Sequence, residues 1–294
     1  MSAPGVIVVL LLAALSVPLM LAIRRYRHWQ ARKLPFYKPG ELLFMAHRGA
    51  PARAPENTLP AFAEAAVTGV DGIELDVQVT ADGVVVVRHD YDLERTTDGE
   101  GYIWDQTWDE LSRLNAAHRQ PGGYPPTPVP RLEEVLPLIP KHMLVNIELK
   151  SERWVSTGVE RKVVAMVQEL GLVHRTLISS FNPFCLLRIR YLEPKLPLAL
   201  NWWDVDVPWL LRKPRLLNLL QPDCLHPSVD VVTPEVVGRA HSHGVRVNVW
   251  TVNNRPLIDY LRSIGVDGII TDFPELVQKS INANELNPPT VAAN

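Results

Sequence analysis

The sequence predicts an α/β protein whose parallel strands close into a barrel, with a single membrane-spanning helix ahead of it. Three observations lead there. Short β-branched or aliphatic runs alternate with helical stretches from Leu42 onward, about eight or nine runs in all. Polar residues stand where those runs end, which is where barrels keep their chemistry because the strand-to-helix loops are free to vary. An uncharged apolar segment, Val6 to Ile23, precedes them all.

At 294 residues, 47% of them hydrophobic, the chain suffices for one large barrel domain. Thirty Lys and Arg against 32 Asp and Glu leave a formal charge of −2, so no global field favours nucleic acid. Two cysteines, Cys185 and Cys224, occupy no metal spacing, which argues against a disulfide framework and for a reducing compartment. The Val6–Ile23 segment has about the length that crosses a hydrocarbon core of roughly 30 Å. Arg24, Arg25, Arg27, Arg32 and Lys33 follow it, whereas a cleavable signal peptide carries its charge ahead of the apolar region. The positive-inside rule then predicts a single-pass membrane anchor with the soluble domain in the cytoplasm. Residues 1–23 read as the anchor, 24–40 as a basic juxtamembrane linker broken by Pro35 and Pro39, 41–280 as the barrel and 281–294 as a C-terminal tail.

Within the barrel region, Leu42–Ala46 reads as a buried strand. Asn57 and Thr58 supply capping side chains for a helix running to about Gly69, with Phe62, Ala65 and Ala66 at helical spacing. Asp71–Thr80 returns to strand character, Asp82-Gly83 turns the chain, and Val84–Val87 is a second strand candidate close behind. The link between those two runs is too short for a helical crossover, so either one unit lacks its helix or one run is a hairpin partner. Tyr91–Pro140 is a proline-rich excursion, a lid or surface padding, closed by a helix near Leu132–Ile139. The remaining strands are Met143–Leu149, Arg175–Ser180, Leu196–Leu200, Cys224–Leu225, Arg246–Trp250 and Gly268–Ile270. Helices are expected over Val159–Leu170, Pro183–Tyr191, Pro234–His243 and Arg255–Ile264.

Chemistry-bearing residues concentrate between Phe44 and Asp90. Alternate side chains of a strand share a face, so Glu74 and Asp76 can point at one ion and Glu148 can complete its shell. Such hard oxygen donors suit Mg²⁺ or Ca²⁺. His47, His89, Lys150, His226 and Trp250 also stand at strand ends, with His226 and Phe181 as weaker candidates for a pocket wall.

Six tags in this order resemble the glycerophosphodiester phosphodiesterase family. They are His47-Arg48-Gly49, Glu56-Asn57-Thr58, Gly72 to Val77 closing on His89-Asp90, Ile147 to Lys150, Val249 to Asn253 and Asp267 to Asp272. The likeness covers about Leu42 to Leu276. It implies a TIM (β/α)8 barrel, a divalent metal at Glu74, Asp76 and Glu148, and a catalytic pair in His47 and His89. It also implies hydrolysis of glycerophosphodiesters to glycerol 3-phosphate and an alcohol.

A physical account runs beside that resemblance. A phosphodiester's negative charge repels nucleophiles, so a cation must neutralise it. Arg48 and Lys150 add to the positive field, and Arg48 can grip phosphate oxygens in bidentate fashion. Two imidazoles can exchange protons near neutrality, His47 as base and His89 as acid or the reverse. Glu56 and Trp250 complete the substrate-binding candidates. A lysophospholipase D, acting on the same bond in single-chain lysophospholipids, is the nearest rival. A non-catalytic phosphate-headgroup scaffold predicts loss of an acid or histidine, and none is lost. A glycosidase leaves Arg48, Lys150 and the histidines without work. Finally, Trp202, Trp203 and Trp209 beside Arg212, Lys213 and Arg215 have the composition of a membrane-interface element.

Overall fold

The computed structural model describes residues 28–151, 155–203 and 220–277. Eight parallel strands close on themselves: β1 (Leu43–Ala46), β2 (Gly72–Val79), β4 (Leu144–Leu149), β5 (Thr176–Ser180), β6 (Leu198–Trp202), β7 (Cys224–Pro227), β8 (Arg246–Val249) and β9 (Gly268–Thr271). Closure comes from β1, which pairs with β9 through Leu43↔Gly268 to Ala46↔Thr271 and with β2 through Met45↔Gly72. The extra run, β3 (Val85–Val87), is antiparallel to β2 with Val77 opposite Val87. The short link after Asp76 is therefore a hairpin, and β3 is its returning arm.

Helices α1 (Leu59–Ala66), α4 (Val159–Glu169), α5 (Pro183–Leu192), α6 (Pro234–Ser242) and α7 (Arg255–Ser263) cover the outside. Their apolar stripes pack on one strand face in a large cluster that includes Phe62, Ile73, Val145, Val163, Ile178 and Leu261. The other face lines the lumen, where Leu43, Met45, Leu144, Leu177, Ala199, Cys224 and Ile270 form a second core. Period-2 alternation puts Glu148 on the face of Leu144 and His226 on that of Cys224. The expected helix over Leu132–Ile139 is a short α3 (Leu132–Val135) followed by a 3-10 turn, Leu136–Leu138, because Pro137 cannot continue the α-helical hydrogen bonds. The long excursion, with α2 (Trp108–Leu111), has its own small core of Val86, Leu93, Ile103, Leu111 and Val129.

The described part of the basic linker is packed against the barrel. The Ala31 N–H donates to the His243 carbonyl (2.7 Å), and the Arg32 guanidinium reaches Asp223 (2.5 Å) and the Leu196 carbonyl (2.7 Å). Those partners precede β8, β7 and β6, so the segment closes the end of the barrel where strands begin. Trp29, Leu34 and Tyr37 are buried there. No helix among the described residues is long and apolar enough to cross a membrane. The anchor expected over residues 1–23 lies outside the described residues, as do the tail and most of the tryptophan-rich stretch.

Candidate active site

Glu74 and Asp76 project from the lumen face of β2, and the pairing Asp76↔Glu148 sets the third acid beside them. One oxygen from each of these buried carboxylates lies within 4.8 Å of the others. Burial, with the charges of Asp76 and Glu148, pushes the Glu74 carboxyl well above its usual range. Burial also works against charge on Asp76, but His89, Lys150, Arg48 and a hydrogen bond from Asn57 outweigh it and hold that carboxyl well below. An all-oxygen donor set under mutual repulsion fits a hard divalent cation.

Two cations flank the acids. Lys150 Nζ is 2.8 Å from Glu148 and 3.7 Å from Asp76. Arg48 Nε lies 3.4 Å from Asp76, while its Nη1 donates to Glu56 (3.0 Å). Burial opposes both charges, and the surrounding carboxylates override it, so both stay cationic far above neutrality. The backbone N–H of Arg48 donates to Glu74 (2.9 Å), and the Arg48 backbone is left-handed, φ 53°. Gly49 follows at φ 86°, and a Cβ there would stand 2.7 Å from the Ala61 carbonyl carbon. The loop bearing His47 and Arg48 is thus pressed onto α1.

Asn57 departs from its expected capping role. Its backbone is left-handed too, φ 57°, which turns the amide into the lumen. There Nδ2 donates to Asp76 (2.9 Å) and Oδ1 accepts from the Asp76 N–H (3.2 Å). A buried carboxylate demands partners more than a helix terminus open to water does. Thr58 holds the N-cap position, yet its hydroxyl donates to the Pro55 carbonyl (2.5 Å) and caps nothing.

Each histidine is backed by a carboxylate at Nδ1: Asp272 at 2.6 Å for His47, Asp90 at 2.8 Å for His89. Nε2 of each ring has no hydrogen-bond partner among the described residues. Asn253 donates to Asp272 (2.6 Å), whereas Arg95 pairs with Asp90 and also with Glu56. Gln78 Nε2 donates to the carbonyls of Arg88, His89 and Asp90 at 3.2, 3.1 and 2.7 Å, fixing the turn that carries His89.

A cavity of about 780 Å³ opens over these groups, lined by His47, Arg48, Glu74, His89, Glu148 and Lys150. Its lining also has an apolar part, built from Phe181, Phe184, Leu187, Trp203 and Trp250, with the Phe181 ring 5.8 Å from Lys150 Nζ. Asp76 sits beneath the cavity, and Glu56 stands behind Arg48, holding the guanidinium. Asp272, Asp90, Arg95 and Asn201, whose Nδ2 donates to Glu148 (2.7 Å), were not singled out from sequence. The signal for Asp272 in the sequence is its place directly after the β9 run, at the end of the Asp267–Asp272 motif.

A model of the glycerophosphoryl diester phosphodiesterase family matches residues 47–276, spanning every group just described. The chain belongs to that family. A glycerophosphodiester phosphodiesterase of Caldanaerobacter subterraneus is 38% identical over 235 residues, 79% of this chain and 95% of the relative. One from Bacillus altitudinis is 38% identical over 239 residues, 80% and 96% of the two chains. Among solved structures, an Oleispira antarctica phosphodiesterase in complex with the product sn-glycerol-3-phosphate is 31% identical with a TM-score of 0.70, covering 82% of this chain and 96% of that one. The family assignment and the intact acid and histidine sets make this chain a phosphoric diester hydrolase on a TIM barrel.

Proposed function

We propose that the protein hydrolyses glycerophosphodiesters to sn-glycerol 3-phosphate and an alcohol, with Mg²⁺ or Ca²⁺ held by Glu74, Asp76 and Glu148. The observation that carries this reading is the convergence of those carboxylates within 4.8 Å beside a cavity that also holds His47, His89, Arg48 and Lys150. A cation bound there neutralises the diester charge and polarises phosphorus. Arg48 and Lys150 bind and orient the non-bridging oxygens. His47 Nε2 takes the proton of the attacking oxygen, from water or the neighbouring glycerol hydroxyl, as its bond to phosphorus forms. His89 Nε2 gives its proton to the alcohol oxygen as that P–O bond breaks. Where the glycerol hydroxyl attacks, water then opens the cyclic phosphate, His89 taking the water's proton and His47 returning its own to the glycerol oxygen as that P–O bond breaks. The division follows the supporting carboxylates. The charge gained by His47 faces Asp272, which is bonded to neutral Asn253, whereas Asp90 behind His89 already shares its charge with Arg95.

A second reading, lysophospholipase D, is favoured by the apolar wall. Phe181, Phe184 and Leu187 are each 40% exposed and Trp203 41%, all facing the same cavity, and an acyl chain laid against them would cover that surface. We assign the apolar Val6–Ile23 segment as a membrane anchor with the barrel on the cytoplasmic side, on its length and flanking charge.

Turnover of glycerophosphocholine and lysophosphatidylcholine, with chelator and with each ion restored, tests the set. Chelation should abolish both activities. Glu74→Gln and Glu148→Gln should lose metal binding by calorimetry and at least about a hundredfold in activity, beyond what a supporting partner of a ligand carries, with unchanged circular dichroism. Substantial residual turnover in either variant contradicts the metal assignment, and absence of lysophosphatidylcholine turnover removes the second reading.

A further inference from the structure

A hydrogen-bonded column runs through the lumen from the barrel base to the cavity. The Tyr37 hydroxyl, from the segment closing the base, donates to Asn248 Oδ1 (3.0 Å) and accepts from Asn248 Nδ2 (2.6 Å). The same Nδ2 meets His226 Nε2 at 2.8 Å. Asn248 is fully buried, and Gly268 on β9 makes room for it, because a Cβ there would collide with Asn248 Oδ1. In this arrangement the amide turns Nδ2, not Oδ1, toward the ring. An N–H pointing at Nε2 makes that nitrogen the acceptor and leaves the ring proton on Nδ1. His226 lines the cavity although it is only 1% exposed, and burial pushes its pKa down to about 3, so the ring is neutral. Its Nδ1 has no hydrogen-bond partner among the described residues. The Trp250 Nε1–H donates to the His226 carbonyl (2.8 Å), tying this part of the wall together.

We propose that His226 is a specificity-determining residue whose Nδ1–H donates to an uncharged oxygen of the substrate's glycerol moiety, with Asn248 as the residue that sets its tautomer. This deepens the phosphodiesterase reading and rests on it. Arg48 and Lys150 already serve the anionic phosphate, and a neutral imidazole cannot compete with them for it. A neutral N–H at a cavity wall is suited to a neutral acceptor, and a site built for one rejects the analogue that lacks it.

The test compares KM for glycerophosphocholine with the inhibition constant of ethyl phosphocholine, the same diester without glycerol hydroxyls. His226→Phe should raise the first relative to the second by about fivefold, the scale of one neutral hydrogen bond. His226→Gln, which keeps a neutral N–H, should restore most of the difference. Asn248→Asp turns an acceptor toward Nε2, draws the ring proton there, and should act like His226→Phe. Nitrogen-15 NMR of the wild-type protein should show the neutral tautomer protonated at Nδ1, a readout independent of whether any variant folds. Equal rises in both constants, no rise in either, or a ring protonated at Nε2 would overturn the assignment while leaving the phosphodiesterase reading standing. Failure of the wild-type protein to turn over glycerophosphocholine would sink both.

Discussion

Asp90 keeps its charge because His89 and Arg95 bond it, although burial works against it, and its carboxyl is held at about 2. A carboxylate held below its ordinary 3.8 adds stability that is whole above that value and fades as pH falls toward about 2. Asp90→Asn should therefore cost stability near neutrality, and its gap from wild type in urea unfolding should narrow as pH falls from 3.8 toward about 2. A gap that ignores pH would show that the ion pair contributes nothing. At this scale the i, i+2 spacing set Glu74 and Asp76 on one strand face, and Glu148 joins them from a neighbouring strand, whereas His47 and His89 were drawn from the family resemblance. Asn57 was not: its residue type suits a helix cap, and only the left-handed backbone and a buried carboxylate across the lumen redirect it. Nor were Asp272 and Arg95 singled out: Asp272 meets a histidine 225 residues away, and Arg95 joins nearby Asp90 to Glu56, 39 residues distant.

The loop from β1 into α1 carries the tightest backbone requirement near the site. Gly49→Ala would place a methyl 2.7 Å from the Ala61 backbone at φ 86°. The substitution should cost more than about 1 kcal/mol of stability, read as a lower urea midpoint. Activity should fall further than stability, because His47 and Arg48 immediately precede the displaced residue. A variant with wild-type kcat/KM would show that the loop tolerates the shift. The strands were readable as apolar runs, and the hairpin at β3 was one of two readings that loop length allowed. What the sequence could not choose between, the ladder decides: Val77 bonds antiparallel to Val87 and parallel to Leu149, so one strand serves both the hairpin and the barrel.

The whole molecule is closed at one end by residues 29–37. Trp29, Leu34 and Tyr37 are buried there, and Arg32 is paired with Asp223, which is 1% exposed. Removing residues 1–27 should leave a folded, active barrel, whereas removing residues 1–40 should strip apolar burial of roughly 1.5–3 kcal/mol per large side chain. Thermal denaturation should show the longer truncation melting several degrees lower, and equal melting temperatures would mean the segment adds no stability. From sequence this stretch read as a prolines-and-arginines spacer, since nothing in its composition reveals the complementary surface formed by the loops ahead of β6, β7 and β8.

That closure bears on the proposed tether. The described chain meets the barrel at its floor, so a tether at Val6–Ile23 would set the bilayer on the side of the base, with the opening turned away from it. Reactants would then arrive through water rather than sideways from the leaflet. Molecules with one hydrocarbon tail or none escape a bilayer as monomers, while a second tail, at about 0.8 kcal/mol per methylene, holds a lipid back. Placement alone would exclude intact two-chain phospholipids before any contact inside the cavity is made.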